Sequence, residues 1–384
     1  MPLPSRVNSS EALLIAAPSG RALARAARDA GYEPLVVDFF DDLDTRALAS
    51  ANRQVEGDRN FCFEESALLA ALDSLAAGRR IAGLIYGGGF EDRIDLLQAM
   101  ARRWPLIGNA PEVVAEVKDP IRLAEICAGL GIPHPEMSFE VPAEAAAWLV
   151  KHAGGSGGAH IASAQTTALA SGDYYQRGVP GSPVSALLLA DGSEAIILGF
   201  SQQWTSPAPG QLWRYGGAAR PAALSSIVEA KLKAAALAVT QATHLAGLNS
   251  VDFLVYGEAF HLLEINPRPG ATLDIFHDDR GRLLRAHVAA CAGHLPEEPL
   301  LFDGAEAACF VYAPQAIAAM PALDWPLWTG DRQKPSSVLA ENDPICTVLA
   351  QAPDLTQALH LLEERRTQIL TLLSDSSLIK DAAA

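Results

Sequence analysis

The sequence predicts an α/β protein that opens on a parallel, doubly wound sheet. Three observations carry that expectation. Two short apolar strands, Ala12 to Ala17 and Pro34 to Phe39, flank a helix-period segment that ends at Gly31. A third strand, Ile81 to Tyr86, follows a second helical segment and empties into Gly87-Gly88-Gly89-Phe90-Glu91. Strand, glycine turn and helix in that order place ligands at the carboxyl ends of the strands.

The elements follow in order. Pro18-Ser19-Gly20 turns the first strand into a helix from about Arg21 to Ala30. That turn either presents helix N–H groups to an acidic part of a substrate or serves only as an N-cap. A helix around Ser66 to Ala77 precedes the third strand, whose glycine turn faces a cleft and is a candidate substrate contact. From Pro105 the character changes. Leu106-Ile107-Gly108-Asn109 and Lys118-Asp119-Pro120 lead into a helix ending at Gly129 or Gly131, and Ile132-Pro133-His134-Pro135 reads as a linker. Short strands follow: Trp148 to Lys151, Tyr174 to Val179 beyond a glycine loop, and Pro183 to Leu189. A long amphipathic helix, about Ala222 to Ala246, ends at Gly247 and leads to a hairpin of Val251 to Val255 and Phe260 to Ile265. The tail holds a helix near Leu283 to Cys291, which Asp278-Asp279 would cap. Strands near Ala308 to Tyr312 and Cys346 to Leu349 follow, and a closing helix runs from about Leu355 to Leu373.

Composition narrows the function. With 384 residues the chain is long enough for two or three domains, and its net charge of −16 repels nucleic acid and anionic membrane surfaces. An anionic ligand would need a few placed cations inside a cleft. No apolar run approaches the ~18 residues that span a bilayer, and Met1 to Arg6 lacks the pattern of a signal peptide. Cys62, Cys127, Cys291, Cys309 and Cys346 are scattered and contain no C-x-x-C, so buried thiols in the cytoplasm are expected. A nicotinamide-binding protein is disfavoured. The first turn, APSGRALA, has one glycine where G-x-G-x-x-G needs three, although Asp38 ends the second strand where an acid takes a ribose hydroxyl.

The most informative stretch runs from Ser250 to Gly270. Alternation points Glu264 and Asn266 the same way and turns His261 away from them. If Gly257 to Ala259 is the turn, Asp252 lies opposite Glu264. Two carboxylates and an amide oxygen then converge on one face, a hard oxygen set that suits Mg²⁺ with substrate phosphates. Arg268 leaves the strand end with a planar cation able to hold a carboxylate or phosphate at two points. Lys151 ends a short strand ahead of His152-Ala153-Gly154-Gly155-Ser156-Gly157-Gly158, a loop that either covers phosphates or is a flexible hairpin tip. His152 and His160 flank that loop and are expected to face solvent. Arg214, between Trp213 and Tyr215, is expected to approach substrate or phosphate.

Lys118-Asp119, Lys151 with Gly154 to Gly158, Tyr175 to Gly181, and Asp252 with Glu264-Ile265-Asn266-Pro267-Arg268 come in an order and spacing that resemble the ATP-grasp enzymes over about residues 80 to 275. The whole chain looks most like the predicted ATP-dependent carboligases related to biotin carboxylase, of methanogens and methylotrophs. Tyr175-Gln176-Arg177 with Ser185, and Leu263 to Asp274, carry that closer match. The resemblance implies a Rossmann-like pre-ATP-grasp domain over 1–110, a lid subdomain with its linker helix over 111–182, and a large antiparallel-sheet domain with a biotin-carboxylase-like tail over 183–384. It assigns Lys118 and Lys151 to the ATP phosphates, Gly154, Gly155, Gly157 and Gly158 to the loop over them, and the backbone of Tyr175, Gln176, Arg177 and Val179 to adenine. It gives Asp252, Glu264 and Asn266 to Mg²⁺ and Arg268 to the acyl phosphate or the acceptor; Lys151 and Arg214 stand beside Arg268 as candidate catalytic residues.

The implied activity makes an acyl phosphate from a carboxylate and lets an amine or similar nucleophile displace it, releasing ADP and phosphate. A step in making a C1-carrier cofactor of the tetrahydromethanopterin or methanofuran type is further implied, as is a homodimer. The chain departs from the family at the hinge, where Arg177 and Gly178 replace an acid and an apolar residue and Pro183 stands where a Glu often follows. That departure motivates the alternative of a non-catalytic ATP-binding sensor or scaffold.

Overall fold

The computed structural model describes residues 11–57, 62–278 and 280–375. It opens with β1 (Ala12–Ala16), α1 (Arg21–Asp29), β2 (Glu33–Asp38), α2 (Leu43–Leu48), β3 (Ala51–Gln54), α3 (Glu65–Ala76), β4 (Ile81–Tyr86) and α4 (Ile94–Ala101). The strands form a four-stranded parallel sheet in the order β3-β2-β1-β4. Alternation along β1 sends Leu14 toward Leu68 and Leu72 of α3 and Leu96 of α4, and sends Leu13 and Ile15 toward Leu23 and Ala27 of α1. The doubly wound sheet is therefore present as expected. The short, polar β3 and the six-residue α2 add to it without a legible period.

The helix expected after Lys118-Asp119-Pro120 is present, and a further helix the sequence did not announce precedes it. α5 (Pro111–Lys118) ends where Asp119 turns extended ahead of Pro120, because a residue before proline is forced out of the helical region. Asp119 then caps α6 (Pro120–Gly129) by accepting from the Ile121 and Arg122 N–H groups. A small four-stranded sheet follows, from β5 (Met137–Ser138), β6 (Trp148–His152), β7 (Ile161–Ser163) and β8 (Asp173–Arg177), in the order β5-β8-β6-β7. One face carries its core of Trp148, Val150 and Tyr175; Lys151, Tyr174 and Gln176 share the other.

The large sheet has eight strands in the order β13-β12-β9-β10-β11-β14-β16-β15. They are β9 (Ser182–Asp191), β10 (Ala195–Thr205), β11 (Tyr215–Arg220), β12 (Ala246–Tyr256), β13 (Ala259–Asn266), β14 (Ala305–Tyr312), β15 (Thr329–Gly330) and β16 (Pro344–Ala352). Helix α7 (Ser226–Ala242) is shorter than its amphipathic pattern because Ser225 caps it and β12 already begins at Ala246. It covers one face of the sheet, over Leu188, Val251, Phe253 and Ile265. The opposite face, through Leu187, Leu189 and Leu248, meets the first sheet and α8 (Arg282–Cys291). Asp278 caps α8 as expected; Asp279 lies outside the described residues, as do Met1 to Arg6. Helix α9 (Leu355–Asp375) closes over β14 and β16.

The Ser19-Gly20-Arg21 turn joins the two sheets. Arg21 donates to both oxygens of Asp274 at 2.6 Å and to Asp331 at 2.8 and 3.0 Å, while Ser19 Oγ donates to Asp331. No α1 side chain caps its own helix there. Cys127, Cys309 and Cys346 are buried thiols, and Cys62 and Cys291 are half-buried. Among the described residues no helix is long and apolar enough to cross a membrane.

Candidate active site

The hairpin does bring Asp252 opposite Glu264, through a route the sequence hid. The turn is Gly257-Glu258, with Tyr256 paired to Ala259, so uninterrupted counting would set Asp252 against Leu263. A β-bulge at Leu263 absorbs one residue and restores Glu264 to the pair. The bulge also inverts alternation, so His261, expected to point away, lies on the same face as Glu264. It sits farther toward the turn, opposite Leu254, and its electrostatic neighbour is His134.

Row by row across the sheet, Ser201, Ser185, Asp252 and Glu264 stand in register. Ser185 Oγ donates to Asp252 at 2.5 Å, and Asn266 Nδ2 donates to Asp252 at 2.9 Å and, more weakly, to Glu264 at 3.5 Å. Lys118 Nζ stands 3.6 Å from Glu264 and 3.5 Å from Asn266 Oδ1. Burial would raise Glu264, but Lys118, Lys151 and more distant cations outweigh it and hold it at about 2. Burial and the neighbouring Glu264 push Asp252 up to about 6. Two half-buried carboxylates held side by side are a fit for a divalent cation. Among the described residues no three His, Cys, Asp or Glu side chains form a metal cluster alone, so Mg²⁺ here would draw further oxygens from phosphate and water. Asn266 would have to turn its amide to offer Oδ1, since Nδ2 now faces the carboxylates.

Arg268 is held by a residue that sequence reasoning noted only as part of a glycine turn. Its Nε donates to Glu91 Oε1 at 2.8 Å, and Gly88 lies against the guanidinium plane. Glu91 Oε2 accepts from the Gly89 and Phe90 N–H groups at 2.8 and 3.0 Å. The Nη atoms make only long contacts, 3.4 Å to Asn266 and 3.5 Å to Pro269, and so keep capacity for an anion.

The glycine loop lies across this site. A Cβ at Gly154 would come within 2.8 Å of the Glu91–Asp92 backbone, and one at Gly158 within 1.9 Å of the Trp213 carbonyl. Tyr215 N donates to Gly157 O at 2.9 Å. The loop thus touches the end of the first parallel sheet at Glu91–Asp92 and the large sheet at Trp213–Tyr215 at once. Lys151 is buried and donates to Gln176 Oε1 at 3.3 Å; among the described residues the buried Gln176 amide nitrogen has no hydrogen-bond partner. A cavity lined by Lys118, Lys151, Gly154, Gly155, Tyr174 and Glu264 lies beneath.

Several expectations need correction. Arg214 does not reach toward the carboxylates. It donates to Ser206 O and Asn342 and stacks 3.6 Å over the Tyr312 ring, so it holds the segment on which the loop lands. His160 does not face solvent. It lines the cavity, and burial together with Lys151 and Lys118 pushes it down to about 4 against the pull of Glu264. His152 pairs with Asp173 at 2.8 Å. The hinge strand stops at Arg177; the backbones of Tyr175 and Gln176 are engaged by neighbours on both sides, and Arg177 pairs with Glu136. Val179 lies beyond that ladder.

Comparison with known proteins agrees with this geometry. Residues 117–272 match the ATP-grasp domain family. The chain is 22% identical over 294 residues to the carbamoyl phosphate synthase large chain of Myxococcus xanthus, covering 70% of this chain but only 26% of that protein. The chain thus spans about a quarter of that relative. Biotin carboxylase from Campylobacter jejuni, solved as a β-γ-ATP complex, superposes with a TM-score of 0.69 at 15% identity over 98% of each chain. The biotin carboxylase domain of 2-oxoglutarate carboxylase from Hydrogenobacter thermophilus, a dimer with MgADP, ADP and bicarbonate, gives 0.69 at 12% identity over 92% of this chain and 89% of that one. The hairpin carboxylates, paired lysines and glycine loop therefore sit inside the stretch that matches the ATP-grasp domain family, and the chain as a whole shares the fold of biotin carboxylase.

Proposed function

We propose that this protein is an ATP-dependent, ADP-forming ligase that converts a carboxylate to an acyl phosphate for attack by an amine or similar nucleophile. The observation that carries this reading is the convergence of Asp252, Glu264, Asn266, Lys118 and Arg268 at one end of the sheet face, under a loop anchored on both sides. Mg²⁺ bound to the carboxylates would neutralise phosphate charge and align the transferred group. Lys118 and Lys151 supply fixed positive charge to the same phosphates, and Gly154 to Gly158 bring backbone N–H groups and exclude water. Arg268 offers its Nη edge to the carboxylate or the acyl phosphate. Val179 and the hinge before it border the base. The units 1–110, 111–182 and 183–384, a homodimer and a role in making a C1-carrier cofactor belong to the same reading; the dimeric relative supports the second.

The test is ADP release from MgATP across a panel of carboxylic acids paired with amines. Release that requires both partners, and its loss in Glu264→Ala, is expected. Full activity in that variant contradicts the metal assignment. The altered hinge favours one alternative, a non-catalytic ATP-binding sensor, for which MgATP raises Tm while no acid and amine pair yields ADP.

A further inference from the structure

Glu91 is fully enclosed and touches two working parts of the site by different atoms. Its carboxylate takes the Nε edge of Arg268 and two N–H groups of its own glycine turn, which spends its acceptor capacity inside the protein. Its carbonyl and the Asp92 N–H lie directly under Gly154 of the glycine loop, at a distance no Cβ could share. Gly154 sits at φ +78, so the loop reaches this landing only through a glycine. Arg268 is thus aimed by the same residue on which the loop closes.

We propose that Glu91 is a positioning residue that links closure of the glycine loop to the setting of Arg268, so that the Nη edge is fixed for an anion only when the loop is shut. The inference rests on the nucleotide reading given above. Physically, one face of the guanidinium lies on Gly88 and its Nε edge is pinned, so any shift of residues 88–92 turns the Nη edge. A loop pressed on Glu91–Asp92 limits that shift. Conversely, an anion gripped by Arg268 steadies residues 88–92 and favours the closed loop, as reciprocal coupling requires.

The probes are MgADP and inorganic phosphate, the latter standing for the transferred group. Calorimetry measures MgADP affinity and then phosphate affinity on the MgADP-saturated protein; amide exchange follows residues 153–160. Wild-type protein is expected to bind phosphate in the MgADP complex, with slower exchange in the loop. Glu91→Gln, which keeps shape and loses the charge-assisted bond, should bind phosphate about tenfold more weakly, with MgADP affinity within about twofold and no phosphate-dependent slowing. Gly154→Ala, which touches no atom of Arg268, should show the same phosphate loss. A merely structural role for Glu91 predicts a lower Tm with phosphate affinity unchanged. Phosphate binding at wild-type strength in either variant overturns the proposal, as does a wild-type MgADP complex that takes up no phosphate. Wild-type protein that binds no MgADP sinks the nucleotide reading itself and this inference with it.

Discussion

Two neighbouring glycines of the loop separate backbone freedom from close approach. Gly157 and Gly158 both sit in the left-handed region, at φ +67 and +75. A Cβ on Gly157 meets nothing within 4 Å, whereas one on Gly158 falls 1.9 Å from the Trp213 carbonyl. Alanine at either position costs the closed loop about 1–2 kcal/mol of backbone strain. At Gly158 the loop must also retreat by roughly 1.5 Å to reach ordinary contact. That retreat breaks the 2.9 Å bond from Tyr215 N to Gly157 O, worth about 1–3 kcal/mol with its half-buried donor left unpaired. The closed state should therefore weaken by about 3 kcal/mol in Gly158→Ala, roughly a hundredfold in MgADP affinity, against about five- to thirtyfold in Gly157→Ala. Calorimetric titration of the three proteins, with amide exchange over 153–160, measures both effects. Affinity of Gly158→Ala within twofold of wild type, or no weaker than that of Gly157→Ala, refutes the landing of the loop on Trp213–Tyr215.

Three further outcomes follow from the same contacts. Arg21→Ala leaves Asp274 and Asp331 buried without their cation and should cost about 3–5 kcal/mol, seen as a Tm several degrees lower by calorimetry; an unchanged Tm contradicts the ion cluster. Burial raises Asp38 to about 7, and Asp42, with Asp331 nearby, to about 6. The folded state therefore holds protons that the unfolded chain has released, so their penalty is absent near pH 4, grows through pH 6 and is complete above pH 7. His134, His160 and His287, each lowered to about 4 by burial, act in the opposite direction over part of this range, so the test is the difference. The Tm of Asp38→Asn minus that of wild type should grow between about pH 5.5 and 8, and a difference that stays flat would falsify the burial of Asp38 as a carboxyl. Arg214→Ala frees Ser206, Asn342 and Tyr312 and should weaken nucleotide binding through the landing segment while leaving its Mg²⁺ dependence intact; loss of that dependence would place Arg214 at the phosphates after all.

What was legible in the sequence was what repeats or alternates. The strands of the first sheet, the hairpin and the lysine before the glycine loop announced themselves by period and by turn residues. The partnership of Asp252 with Glu264 was legible only by coincidence: a miscounted turn and an unseen bulge at Leu263 offset each other. The same bulge misplaced His261. Strands β10 and β11 were hidden because SQQWT and YGG lack an apolar period; their burial comes from the sheet on either side. Arg214 was misread because two aromatics beside an arginine mark a stacking contact as readily as a substrate contact, and here Tyr312, nearly a hundred residues on, supplies it. Glu91 stood in plain view after three glycines, but its partner Arg268 is 177 residues away. No local pattern encodes such a contact.

The central claim is that a carboxylate oxygen receives the phosphoryl group. Whichever acid supports ADP release in the panel should be supplied with oxygen-18 in its carboxylate, and the phosphate released with the product analysed by mass spectrometry. An acyl phosphate displaced by a nucleophile leaves one labelled oxygen on each phosphate. Phosphate released without label, alongside full formation of the joined product, would contradict the mechanism.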